Sequence, residues 1–543
     1  MNQLLKLYQM KKINYILYLF LALILFTSSC NEKKVIEKNN KNQPNILILF
    51  SDQHSKNVTG YEGHSDVITP NLDKLASESF VFDRAYCTTG ICAPARSSLM
   101  TGIYPRTLGI LSNSEDTNVM KEVVSLPSIL KAQGYKTYAF GKRHTKSSID
   151  EGWDVKKSHL CNESEDNYVT WIENQGFGKE FAKDWAAEFG KPSTCSHEKG
   201  KISTADLGTR VSELPEGYTM EAYTAMNTIE MIKEHKDSDQ PFLCWATFYR
   251  PHQPYTPLKK YMEMYNVSDW GIGTKNQGSI KKPTSFYEPT EKLPPFLQSQ
   301  RNGGNKVWNM DKAFENEQLW RNYIGAYYAL VTELDFYIGE IINSLEKSGM
   351  KDETIIIYSS DHGDFVGNHG MVEKAAMGHN VYEDILNIPL IIHYPGQSKG
   401  SKKYELVSQV DILPTILEMA GVEMPLLKHK VQGKSLHNLM QNNTSLNRDY
   451  IVSESWSQAA IISENYKLGI MLDPTNFRKQ FDYREYGDMF FDRLKDSLEL
   501  QNEIKNTNYI EQINQLKSFY KEFEENNPDI GKQEVISNYS KKK

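Results

Sequence analysis

Residues 44–54 read PNILILFSDQH, and residues 353–364 read ETIIIYSSDHGD. Each is an apolar run with an acidic residue just beyond it. A strand with one solvated face alternates apolar and polar residues. An unbroken run marks a parallel strand buried on both faces. Asp52 and Asp361 then fall at the carboxyl ends of their strands, where open α/β sheets place ligand sites.

Working outward, the same grammar repeats. NLDKLASESFVFDRAYC reads as a helix followed by a strand. SLPSILKAQGYKTYAFGKRH gives a helix up to Gly134 and a strand over Lys136–Phe140. PFLCWATFYRPHQPY is a strand entering a proline-rich loop, and AYYALVTELDFYIGEIINSLEKSGM is a long amphipathic helix. NIPLIIHYPG adds a strand and QVDILPTILEMAGV a helix. This alternation predicts an α/β fold with a largely parallel sheet and helices on both faces. The stretch from Cys161 to Gln300 reads as long irregular loops over the site, the usual seat of specificity. Beyond Gly433 the character changes. YKLGIML, DMFFDRLKDS and a charged helix up to Asn526 predict a smaller α+β module with a short antiparallel sheet. The expected division is 44–433 for the main domain, 434–530 for the module and 531–543 for a polar tail.

The first 43 residues stand apart. Lys6, Lys11 and Lys12 precede the apolar run Ile13–Phe26, and Thr27-Ser28-Ser29 lead to Cys30. The run is short for a spanning helix and suits a signal peptide. The pattern over 1–30 resembles a bacterial lipoprotein signal, in which Cys30 becomes the lipidated first residue. An ordinary signal peptide cut nearby or a short anchor are the alternatives. Residues 31–43 read as a polar tether. The expected location is the bacterial cell envelope, outer membrane or periplasm, with the lipid anchor as the only membrane contact. The chain has 543 residues and a formal net charge of −7, so no overall basic field points to nucleic acid. With Cys30 lipidated, five of the six cysteines remain, an odd number that predicts an unpaired thiol. Whether Cys161 and Cys195 pair is left open by their spacing.

Cys92 opens CAPARSSLMTG. Pro94 suits the first turn of a helix and Gly102 its end. Cys92 then sits at a helix N-terminus, where N–H groups and the macrodipole favour an anion. Taken alone it reads equally as a small buried hydrophobe. If the two acidic strand tips are neighbours, they form an oxygen-rich cation site with one imidazole, suited to calcium or magnesium.

On these segments the chain resembles the sulfatase family of the alkaline-phosphatase-like superfamily. CAPAR matches its cysteine–x–proline–x–arginine signature. PNILILFSDQ, GYKTYAFGKRH, RPHQP, SDHGDFVGNHGMVEK, DILPTILEMAG and FFDRLKDSLELQN match its landmarks in order. The resemblance implies an α/β/α sandwich and oxidation of Cys92 to formylglycine (3-oxoalanine), by a formylglycine-generating or anaerobic sulfatase-maturating enzyme. It implies metal ligands Asp52, Gln53, Asp361, His362 and residue 92. Calcium is the expected ion, with magnesium and manganese as alternatives. It further implies attack of the hydrated aldehyde on sulfur, giving an enzyme-bound sulfate ester. His252 acts as acid on the leaving alcohol with Lys374 beside the same oxygen. His144 acts as base in sulfate release, and Arg96, Lys142 and Lys374 neutralise sulfate oxygens. His379, Arg250 and Arg143 are expected substrate contacts, and His54 and His369 lie in the same segments.

The expected activity is removal of sulfate from a sulfated oligosaccharide or polysaccharide, algal ulvan being one instance and host glycosaminoglycans another. Gln53 stands where many relatives have aspartate, and His362 is an unusual ligand for calcium. Both also occur in phosphonate and phosphodiester hydrolases of the superfamily, which makes that chemistry the enzymatic alternative. A non-catalytic glycan-binding lipoprotein is the alternative from another class.

Overall fold

The computed structural model describes residues 43–533 apart from 114–116, 146, 161–162, 187–206, 266–279, 294–297, 299–300, 302–315, 375–380, 424–429, 456, 473–483, 485–486 and 532. Cys30, Cys161, Cys195 and His379 lie outside the described residues, as do the signal and the tether up to residue 42. The described residues from Gln43 onward form one compact unit.

The two segments that open the sequence reading become β1 (Asn45–Asp52) and β6 (Thr354–Ser360). They pair directly and in parallel, from Asn45 opposite Thr354 to Ser51 opposite Ser360. Their alternate side chains enter two separate cores. Ile46, Ile48, Phe50, Ile355 and Ile357 pack on one face of the sheet. Leu47, Leu49, Ile356 and Tyr358 pack on the other. That double burial is why neither segment tolerates a polar alternation.

Six further strands complete the large sheet: β2 (Phe80–Tyr86), β3 (Lys136–Gly141), β4 (Val155–Ser158), β5 (Phe242–Pro251), β7 (Leu390–His393) and β8 (Ser401–Ser408). The order is β4-β3-β5-β1-β6-β7-β2-β8. All pairings are parallel except those of β7, which is antiparallel to β6 and to β2. The helices Pro70–Ser77, Met220–His235 and Glu317–Ser348 cover one face, through residues such as Leu75, Ile232 and Ile338. The helices Cys92–Thr101, Leu126–Ala132 and Ile412–Met419 cover the other, through Met100, Leu130 and Ile416.

The module after Gly433 contains the antiparallel sheet β12-β11-β10-β9, built from β9 (Tyr450–Ser455), β10 (Gln458–Ser463), β11 (Tyr466–Met471) and β12 (Met489–Asp492). Ile451, Ala460, Ile462 and Phe491 join the main core. Val452, Ile461, Leu468 and Phe490 pack under the helix Ile510–Asn526 with Leu516 and Phe523.

One expectation needs correction. The stretch 161–300 holds more regular structure than loops over a site, including the helices Tyr168–Asn174, Gly178–Ala186 and Met220–His235. The last of these packs against β3, β5 and the Glu317–Ser348 helix.

Candidate active site

Four strands that are consecutive in the sheet, β3, β5, β1 and β6, deliver the site from their carboxyl ends. β1 ends in Asp52 and leads to Gln53. β6 leads to Asp361 and His362. β3 leads through Gly141 to Lys142, and β5 runs through Pro251 to His252. Gly141 has φ +98°, and a Cβ there would collide with the Thr247 carbonyl oxygen. Only glycine lets β3 turn there and aim Lys142 inward. Lys374 returns to the site because its loop folds back: Phe365 N–H donates to Glu373 O at 2.8 Å and Gly367 N–H to Met371 O at 3.0 Å.

Cys92 is the first residue of its helix, and the Asn113 side chain accepts from Ala93 N–H at 3.1 Å to cap it. Arg96 lies one turn on, on the same face. The Cys92 Sγ is 3.2 Å from His362 Nε2, 3.9 Å from Asp52 Oδ1 and 4.0 Å from Lys374 Nζ. Donor atoms of Asp52, Cys92, Asp361 and His362 all lie within 4.8 Å of one another, and all four residues are buried. Burial and the Asp52 charge push the thiol up to about 11, against the pull of Lys374 and Lys142. Burial and the neighbouring carboxylate thus outweigh the helix N-terminus and keep the encoded residue a thiol. As encoded, the residue is a weak nucleophile.

Arg96 is fully buried. Its Nη2 donates to Asp52 at 2.9 Å, its Nε to Asp361 at 2.8 Å, and its Nη1 to Lys142 O at 2.5 Å and Thr247 Oγ1 at 2.8 Å. Four of its five N–H groups are thus spent on the protein. Its main contacts are the two carboxylates rather than a pocket for sulfate oxygens. Lys142 Nζ reaches Asp52 Oδ2 at 2.6 Å. Burial opposes ionisation of Asp52, but Lys142, His252 and Arg96 hold its carboxyl well below the usual range. Burial likewise opposes the Lys374 charge, yet the carboxylates of Glu373, Asp52 and Asp361 around it keep the ammonium protonated.

The imidazole of His362 places Nδ1 2.9 Å from Gly363 O, which fixes that nitrogen as the donor and leaves the Nε2 lone pair facing Cys92. Burial lowers its pKa, so the ring is neutral, the form in which histidine binds metals. Gln53 follows β1 at φ 65°. Its Oε1 accepts from Lys374 Nζ at 2.8 Å, while Nε2 donates to Asp364 Oδ2 at 2.7 Å and to Gln253 Oε1 at 2.9 Å. Two carboxylates, one neutral imidazole and one amide oxygen fit a hard divalent cation.

His252 places Nε2 4.0 Å from Asp52 Oδ1, and its Nδ1 is 2.7 Å from Gln253 O. Burial, with Lys142 and Lys374 nearby, lowers its pKa despite the Asp52 charge. His144 follows β3 at φ 48°, and its N–H donates to Glu163 Oε1 at 3.2 Å.

Two predicted substrate contacts need correction. Arg250 is bonded to the carbonyls of His252 and Pro254 and to Thr256 Oγ1. Arg143 pairs with Asp150 at 2.8 Å and donates to Glu163 O. Both are buried within their own loops, a side-chain direction that residue type alone does not reveal. His54 is likewise internal, beside Tyr358 OH and Val58 O. His369 lies beside Glu288 at 3.3 Å.

The reading of the sequence missed Asp364, Gln253 and Thr247. Asp364, three residues after Asp361, accepts from Tyr323 OH at 2.6 Å, Tyr255 OH at 2.9 Å and Gln53. A second carboxylate in SDHGD was the available signal.

Fold and site together define a hydrolase that handles an anionic ester at the carboxyl ends of the parallel strands of a mostly parallel sheet. The sulfatase profile matches residues 44–422, and that of the N-sulphoglucosamine sulphohydrolase C-terminal region matches 367–526. A sulfatase of Formosa agariphila is 26% identical over 519 residues, covering 92% of this chain and 90% of its own. An ulvan-active sulfatase of the same organism is 28% identical over 424 residues, covering 76% and 68%. In structure, the phosphonate monoester hydrolase of Silicibacter pomeroyi superposes with a TM-score of 0.71 at 18% identity, covering 90% and 96%. The chain belongs to the sulfatase family. It is a sulfatase, with the α/β sandwich and separate antiparallel sheet expected of that family.

Proposed function

We propose that this enzyme removes sulfate from a sulfated carbohydrate, using formylglycine at residue 92 and a divalent cation, calcium being the first choice. The observation that carries the reading is the convergence of Asp52, Cys92, Asp361 and His362 at the N-terminus of one helix, ringed by Arg96, Lys142 and Lys374. Asp52, Asp361, His362 and the Gln53 oxygen would hold the cation, which when bound supplies Lewis acidity toward the nucleophile and the sulfate. Formylglycine would supply a geminal diol, one hydroxyl for attack and one for release of the product.

The chain's own residues do the rest. Lys142 and Lys374 flank the place of the Cys92 Sγ and neutralise sulfate oxygens as charge develops. Arg96 keeps both carboxylates aligned. With Nδ1–H held on Gln253 O, the imidazolium form of His252 gives its Nε2 proton to the leaving alcohol oxygen and is left neutral, and His144 accepts a proton during release of sulfate. The ulvan-active relative supports a carbohydrate ester, and an algal polysaccharide is the first to try. The amino-terminal signal resemblance supports export and a lipid anchor at Cys30 in the cell envelope.

The test is sulfate release, read by ion chromatography, from ulvan and glycosaminoglycan oligosaccharides by protein matured with a formylglycine-generating enzyme. Release from either carbohydrate supports the reading, and none from any sulfated sugar overturns it. Gln53 and His362 favour one second reading, a phosphonate or phosphodiester hydrolase. Faster turnover of a phosphonate monoester than of any sulfate ester would establish it.

A further inference from the structure

The loop that carries His252 is held from behind by one guanidinium. Arg250 Nη1 donates to His252 O at 3.2 Å and also to Pro254 O, and Nη2 donates to Thr256 Oγ1 at 2.7 Å. The carbonyl between them, Gln253 O, lies 2.7 Å from His252 Nδ1. Three consecutive carbonyls are therefore engaged, two by Arg250 and one by the imidazole itself. The Gln253 side chain is also fixed, accepting from Gln53 Nε2 at 2.9 Å and donating to Glu373 at 2.5 Å.

Arg250 is in turn held by the protein. Glu221, on the Met220–His235 helix, accepts from Arg250 N–H at 3.1 Å, and its other oxygen is 3.9 Å from Arg250 Nε. Asp184, Glu221, Glu333, Arg250 and Thr256 line one small cavity. Arg250 itself is 6% exposed and Glu221 1%. A buried arginine with this many partners is a rigid part. What it fixes is the direction in which His252 presents Nε2.

We infer that Arg250 is a positioning residue that aims His252 at the leaving-group oxygen, and that this clamp equips the enzyme for esters of unactivated alcohols. The inference rests on the proposed role of His252 as the acid. An alkoxide leaving group needs a proton as the S–O bond breaks: the S–O electron pair takes it from Nε2 of the His252 imidazolium, whose Nδ1–H stays on Gln253 O, and the ring is left neutral. A phenolate stabilised by a nitro group departs without one. Misaiming the acid therefore penalises the first kind of substrate and largely spares the second. A purely structural role would lower both in step.

The experiment compares Arg250→Lys, His252→Ala and the double variant, all matured alike, on a sugar sulfate and on 4-nitrophenyl sulfate. Positioned proton transfer is worth about 10²–10⁴-fold. The expected result for Arg250→Lys is a kcat loss on the sugar sulfate about tenfold or more beyond its loss on the aryl ester. In the His252→Ala background the same substitution has no further selective effect. Equal losses on both esters, or additive losses in the double variant, overturn the clamp. If His252→Ala itself shows no preference between the esters, the acid assignment fails first and the clamp with it. Should Arg250→Lys not fold, Glu221→Gln weakens the same support, and the same ratio is read.

Discussion

Asp52 and Asp361 stand one residue beyond the paired Ser51 and Ser360 on adjacent parallel strands, and the Arg96 guanidinium donates to both carboxylates. Two like charges brought together in a buried site repel unless a counter-charge is supplied. The counter-charge comes from the helix that also presents Cys92, one turn earlier. One helix thus delivers both the reactive position and the ion that makes its surroundings tolerable.

Removing that ion leaves two buried carboxylates short of their partner. Arg96→Met is expected to destabilise the metal-free protein by about 3–5 kcal/mol, the usual effect of breaking a buried pair. Urea unfolding in the presence of a chelator measures it. A change within error of zero contradicts the assigned role.

The Gln53 amide offers its oxygen inward because Asp364 accepts from its nitrogen. Replacing a supporting partner of this kind typically weakens metal binding by about 10–100-fold, the expected effect of Asp364→Asn. Calorimetric titration with Ca2+ reads it directly. Unchanged affinity with an unchanged fold would remove Gln53 from the ligand set.

Glu383 ties the main core to the smaller sheet. It accepts from Tyr86 OH at 2.7 Å, Arg493 at 2.8 Å and the fully buried Lys467 at 2.8 Å. Burial opposes its ionisation, but Lys467 and Arg493 hold its carboxyl far below the usual range. Its stabilisation is therefore complete above the unfolded value near 4.3 and is lost as pH falls below it. Glu383→Gln is expected to cost about 3–5 kcal/mol at pH 7 and progressively less toward pH 3. A loss independent of pH would contradict the ion-pair account.

Asp184 runs the other way. It pairs with Ser212 Oγ at 2.5 Å, and burial pushes its carboxyl up to about 7 despite Arg210 nearby. The native state keeps this proton while the unfolded chain sheds it near pH 3.9, so stability falls as pH rises from about 4 to 7. The full effect is on the order of 4 kcal/mol at most, and Asp184→Asn should flatten that slope. Urea midpoints at pH 5 and pH 8 decide it. An unaltered slope would show that Asp184 ionises normally.

Much of this was legible because chemistry and burial leave marks in the residue order. β1 and β6 show as unbroken apolar runs because both of their faces are covered. Their acidic tips and the Cys92 helix with its closing glycine could be found on the same grounds, whereas the lysines of two loops came from the resemblance to the family. The Met220–His235 helix was hidden because it buries polar Glu221, Thr224, Asn227 and Thr228 among its apolar residues, which blurs the period of 3.6. The reversed direction of β7 leaves no trace in so short an apolar run. Arg143 and Arg250 were misread because a sequence gives a side chain's charge but not the side of the loop it takes. Asp364 escaped notice because its partners, Gln53, Tyr255 and Tyr323, come from distant segments.

The central claim is that residue 92 works as an aldehyde and not as a thiol. The most direct test is the mass of the peptide carrying residue 92, from protein co-expressed with a formylglycine-generating enzyme and assayed in the same preparation. The account predicts a peptide lighter by about 18 Da than the thiol form, with sulfate release rising in proportion to the converted fraction. Undiminished sulfate release from protein that carries only the unmodified thiol would contradict it.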